Sequence, residues 1–243
     1  MTRQAEATNR DVPFPAEVEV RGIEDSIETF NSSAIEPNEI VDAVVPEQSL
    51  LAIEQQYRSS TYSLLAALLR ASPDQDLLDI LSELVSDNDD REDDSLLLSM
   101  TALSLSAKMI SAHSIEDEYH QLFIGLGKGE VVPYGSWYLT GFLMEKPLSD
   151  LRDDLTILGY ERSDDICEPE DHAAALCEVF SFLISDGNNI DQQYQFYKAH
   201  MAPWIGRFFD DLSDAKSAVF YKSVGRFGGA FIAFESEYFS MQT

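Results

Sequence analysis

The chain has 243 residues, 44 of them acidic and 16 Lys or Arg, for a formal net charge of −28. That charge makes polyanionic nucleic acid and the anionic inner leaflet of a membrane poor partners, and a basic peptide or protein segment a natural one. The only two cysteines, Cys167 and Cys177, form neither a disulfide scaffold nor a zinc spacing; no stretch reads as a signal h-region or a membrane span, so a cytoplasmic protein is expected.

Residues 1–47 carry many acids, Pro13, Pro15, Pro37 and Pro46, and no sustained apolar period; they are expected to be a disordered acidic tail. From Ser49 the apolar spacing turns helical, through Leu50, Leu51, Tyr57, Leu64, Leu65, Leu68 and Leu69. Ser72-Pro73-Asp74 predicts a stop and a new start, with serine capping and proline at the first helical position. Leu77, Leu78, Leu81, Leu84 and Val85 form the stripe of that second helix. Asp87–Asp94 reads as a solvated loop, since it lacks the glycine and the terminal glutamate of a calcium-binding loop.

A third helix, about Asp94–Ala112, is apolar on most sides and is predicted to lie central in a bundle. A fourth, about Ile115–Ile124, stops at the glycine-rich run Gly125–Gly129. Another starts near Tyr134-Gly135-Ser136. Pro147 opens the next, which Gly159 closes in a left-handed conformation. Glu161–Cys167 is short and polar and is the expected hinge. The second subdomain opens at Glu168-Pro169-Glu170-Asp171, again with proline at the first helical position. Leu176, Val179, Phe180, Leu183 and Ile184 are its buried face. Helices are expected at about Ile190–His200, Ala202–Leu212 and Asp214–Phe239, with Pro203 and Gly206 bending the run. The fold class is therefore all-α: a helical bundle of two subdomains, 48–160 and 168–243, joined by a hinge at 161–167.

Gly125–Gly129 lacks the Gly-Lys-Ser/Thr ending of a phosphate loop and follows a helix, so it reads as a turn. His113, Glu116 and His120 share a helical face, but the Glu-x-x-His pairs of a di-iron bundle are missing, and no metal or other cofactor is expected. No nucleophile elbow is present and Cys177 falls on an apolar face, which argues against an enzyme. Glu168, Glu170 and Asp171, with His172 beside them, sit at a predicted helix start. On the residues alone, two readings fit: bidentate capture of guanidinium groups, and ordinary N-terminal capping by acids.

Several stretches together carry a resemblance: Glu118-Tyr119 with Leu122-Phe123, Pro133-Tyr134-Gly135-Ser136-Trp137-Tyr138-Leu139, Pro147-Leu148 with Leu151-Arg152, and Glu168-Pro169-Glu170-Asp171-His172. His200-Met201-Ala202-Pro203-Trp204 and Phe220-Tyr221 with Phe231 and Glu235 extend it. Over about residues 49–240 the chain resembles the TorD/DmsD/NarJ family of molybdoenzyme maturation chaperones. It departs at Leu126, where many members have proline, and in the acidic N-terminal tail. The resemblance implies a non-catalytic cytoplasmic chaperone. Its partners would be a molybdoenzyme catalytic subunit and that subunit's twin-arginine signal peptide, held until the cofactor is inserted. It implies peptide-binding roles for Asp171 and His172 of the hinge motif and for Tyr134, Ser136, Trp137 and Tyr138 of the aromatic motif, though Trp137 and Tyr138 equally suit a core. It also implies a monomer or a domain-swapped dimer. A nucleotide-binding or nucleotide-hydrolysing cofactor-handling enzyme, through weak guanine-nucleotide binding, is the alternative.

Overall fold

A computed structural model describes residues 47–84, 95–125, 129–163 and 166–242, with side chains from residue 52. Residues 1–46 of the expected acidic tail, the Asp87–Asp94 loop, Leu126–Lys128 and two residues of the expected hinge lie outside these. The chain is all-α, with no strand among the described residues and one isolated antiparallel bridge, between Tyr134 and His172.

Helix α1 spans Glu47–Arg70, α2 Gln75–Glu83, α3 Ser95–Met109 and α4 Ala112–Tyr119, which continues as a π-helical turn over His120–Ile124. Then follow α5 (Gly135–Thr140), α6 (Lys146–Leu158), α7 (Ala173–Ser185) and α8 (Ile190–Phe196, with a π-helical turn over Tyr197–Met201). Helices α9 (Ile205–Asp214) and α10 (Phe220–Gln242) complete the chain. No single described helix is long and apolar enough to cross a membrane; α3 and the α4 segment pass a length and composition test only as a pair bent by 114°.

The helix termini show which local signals act. Pro147 stands in the first turn of α6 and Gly159 ends it at φ 82°, as expected. Asp74, not Ser72, caps α2, its side chain accepting from the Leu77 amide at 2.9 Å. Helix α7 starts four residues after Pro169, because His172 caps it. Asp171 and His172 therefore precede the helix and do not occupy its first turn.

The strongest packing joins α1 to α7, α9 to α10 and α3 to α10. These pairs include helices from both sides of residues 161–167, and both sides feed one buried cluster from Tyr62 through Phe239. The described residues of 161–167 are exposed. Close contact of α9 and α10 depends on Gly228, where a Cβ would come within 2.2 Å of the Phe209 ring. Helix α3 is not central. Leu103, Ser104 and Ala107 face the core, while Leu98, Leu105 and Met109 are exposed. A helix apolar all round signals central burial only when neighbours cover every side, and α2 and α10 are its main partners.

Two buried carboxylates hold distant elements together. Glu118 on α4 accepts the Val219, Phe220 and Tyr221 amides at 2.7, 3.1 and 2.8 Å, satisfying the start of α10. Glu235 on α10 takes Arg58 of α1 in a two-pronged pair at 2.6 and 2.8 Å, with the Tyr62 hydroxyl donating at 3.1 Å. Arg58 also donates to Gln193 of α8 at 2.8 Å and lies 4.2 Å over the Tyr238 ring. Both ions are buried, at 2% and 0% exposure.

Candidate functional site

Tyr134 is in extended backbone and Gly135 begins α5, so the first amides of that helix need outside acceptors. Asp171 supplies two. Its carbonyl accepts from the Gly135 amide at 2.9 Å and its carboxylate from the Ser136 amide at 2.8 Å. The Ala173 amide donates to Pro133 at 2.8 Å in return. A carboxylate at a helix N-terminus is electrostatically favourable, and here it is 4% exposed.

His172 then caps α7 through Nδ1, which accepts from the Ala174 amide at 3.1 Å. That bond requires a neutral ring protonated on Nε2. Burial, aided by the Arg70 guanidinium, pushes the His172 pKa down to about 4. The Tyr134 ring meets His172 edge-on, with centroids 5.0 Å apart.

The two glutamates also have partners. Glu168 accepts from the Tyr134 hydroxyl. Burial and this bond raise the Tyr134 pKa. Glu170 is held by two arginines of the same chain, Arg152 at 2.8 Å and Arg162 at 3.3 Å. Burial pushes Glu170 up, but the Arg152 hydrogen bond and both positive charges outweigh it and hold the carboxyl below its ordinary value. Tyr138 stacks on Trp204 at 5.5 Å and donates to Asp211 at 2.8 Å, and Trp137 is half-buried. The structure thus brings Tyr134, Ser136, Glu168, Asp171 and His172 to one corner between α5 and α7, with Glu170 tied to α6. Tyr138 turns toward α9.

Beside this corner lies a cavity of about 290 Å³. Asp150 and Asp154 of α6 line it with Asp171; Leu139, Pro147, Leu151 and Trp204 give it apolar walls. Ser136 lines it too, and its Oγ is buried with no partner among the described residues. Gly135 lets α5 approach Trp204, since a Cβ there would meet the indole at 3.0 Å. His200 Nε2 holds Asp154 at 2.7 Å. The sequence reading assigned no site role to Asp150 and Asp154, although their i,i+4 spacing puts both on one helical face.

The other candidates stay apart from the cavity. His113, Glu116 and His120 are exposed on the α4 segment. Gly125 has φ 56° and closes the π turn, while Leu126–Lys128 of the glycine run lie outside the described residues.

A sequence profile of the nitrate reductase delta subunit family matches residues 86–210, just over half of the chain. The chain belongs to that family. It is the family to which the stretches from Glu118 to Glu235 pointed. Among curated relatives, the chaperone protein TorD of Vibrio atlanticus is 26% identical over 133 residues, covering 50% of this chain and 62% of its own length. The TorD of Shewanella pealeana is 24% identical over 223 residues, covering 82% of this chain and 97% of its own. Against the first of these relatives, then, the chain spans less than two thirds of the relative's length. Among solved structures, a candidate redox enzyme maturation protein from Archaeoglobus fulgidus aligns over 82% of this chain and 99% of its own, at 16% identity and a TM-score of 0.49.

Proposed function

We propose that the protein is a non-catalytic maturation chaperone that captures the twin-arginine leader, or the body, of an unfinished molybdoenzyme and holds it until the cofactor is inserted. Family membership and the TorD relatives support the chaperone reading. The observation that carries the binding reading is the cavity, which Asp150, Asp154 and Asp171 line among apolar walls. A basic segment followed by an apolar one satisfies both kinds of wall.

Titration with a leader peptide tests this. Binding should weaken when both leader arginines become glutamine, and should weaken with added salt. Equal affinity for both peptides across a salt series would remove the arginine part. Saturable GTP binding in a parallel titration would favour the nucleotide alternative. Residues 161–167 are proposed as the hinge between 48–160 and 168–243, with α1–α7 and α3–α10 as the interface a swapped dimer reuses. A single species on size exclusion after refolding at high concentration would count against that exchange.

A further inference from the structure

Leu139 and Pro147, which line the cavity, are joined by the α5–α6 connection. That connection presents three consecutive large apolar side chains to solvent: Phe142 at 69%, Leu143 at 49% and Met144 at 73% exposure. A run of this kind on a surface is a defect unless it serves a contact.

The backbone holds it there. Gly141 closes α5 at φ 84° with its amide on the Trp137 carbonyl at 2.8 Å, and the Phe142 amide donates to Thr140 Oγ1 at 3.2 Å. Met144 lies at φ 59°, a left-handed conformation that a side chain of its size adopts at a cost, and such strain gathers at ligand clamps. Glu145 then takes the N-cap position of α6, its backbone carbonyl accepting from the Leu148 amide at 2.9 Å. Both ends of the connection are fixed, and its apolar tip has no core to fill.

We propose that Phe142, Leu143 and Met144 are the apolar half of a docking surface whose charged half is Asp150 and Asp154 in the adjoining cavity. The occupant is an extended polypeptide with cationic residues placed directly before a run of large apolar ones. The proposal rests on the chaperone reading above and assigns its two halves to different residues.

Charge selects this occupant. Anionic headgroups, nucleic acid and a second copy of a chain at −28 all meet repulsion beside Asp150 and Asp154. Lys146 pairs with Asp150 at 2.6 Å, but as an exposed i,i+4 pair it yields readily to a ligand cation.

Two synthetic peptides test the assignment. Both carry paired arginines; one continues with leucines and phenylalanine, the other with serines and asparagines. Affinity is read by calorimetry and by tryptophan fluorescence, to which Trp204 of the cavity wall and Trp137 both contribute. The wild-type protein should prefer the apolar peptide by roughly tenfold or more. Phe142→Ser/Leu143→Ser/Met144→Ser, whose sites are exposed and whose fold is checked by thermal melting, should bind both peptides alike. Asp150→Asn/Asp154→Asn should weaken both peptides and keep the preference. If the loop variant keeps the full preference, or the acid variant binds as wild type, the assignment is overturned while the chaperone reading stands. If the wild-type protein binds neither peptide, the assignment falls together with the leader-binding part of the chaperone reading. A wild-type dimer that the loop substitutions dissolve would give the loop to self-association and overturn the proposal.

Discussion

The Arg58–Glu235 network and the Asp171 corner are both polar and both buried, and they differ in what is left over. Around Glu235 the principal groups are all engaged: two guanidinium nitrogens, the Tyr62 hydroxyl, Gln193 and an aromatic face surround the pair. Around Asp171 the backbone is equally well capped, but a buried hydroxyl stands without a partner beside 290 Å³ of space. A satisfied polar network fixes a fold; an incomplete one next to a cavity invites a ligand. Family words occur in both regions, so a motif alone does not separate scaffold from site.

The hardest test of this contrast is to break the closed network. Glu235→Ala strands a guanidinium in the core and should cost about 3–5 kcal/mol in urea unfolding. Arg58→Met/Glu235→Leu should recover more than half of that, and per folded molecule neither change should alter peptide affinity.

Acid probes the corner next. His172 is depressed to about 4 in the folded chain against 6.5 as its ordinary value. Its contribution is therefore complete above pH 6.5 and lost as pH falls toward 4, because the unfolded chain takes up the proton first. The loss is on the order of 3 kcal/mol. His172→Asn keeps a capping acceptor without a titrating group and should flatten the melting temperature between pH 7 and 4.5 relative to wild type.

Asp171→Ala leaves the Ser136 amide without its acceptor and should cost about 1–3 kcal/mol. Asp171→Asn retains an oxygen and should recover most of it. If Asp171→Ala weakens leader binding with no loss of stability, the carboxylate serves the ligand and not the helix.

The general architecture was legible because its signals are local. Proline and glycine mark the ends of α6, and apolar spacing marks α1, α2 and α7. What escaped is set by packing. Glu118 and Asp171 each cap a helix that begins far along the chain in one direction or the other, and no spacing rule links a carboxylate to such a helix. Glu170, for which guanidinium capture and helix capping were both open, is paired with Arg152 and Arg162 of its own chain.

That pairing gives the smallest effect. Arg152→Gln/Arg162→Gln removes partly exposed partners and should change stability by less than ~1 kcal/mol. It frees Glu170, so affinity for a two-arginine peptide should rise a few-fold at low salt. Unchanged affinity would place the leader's arginines away from Glu170.

The pairing of the first described helix with the last sets a timetable for biosynthesis. Arg58 and Glu235 are 177 residues apart, and the amides that Glu118 caps lie 101 to 103 residues beyond it. At about 5–20 residues per second, a ribosome needs on the order of ten to thirty-five seconds to deliver Glu235 after Arg58 has been added. Through that interval α1 carries a guanidinium destined for the core, and for the earlier part of it an apolar stripe still waiting for α7. A protein with this wiring completes its buried ion pair only after the last helix is made, and a transcript truncated before α10 yields a chain whose first helix has no buried anion to receive it.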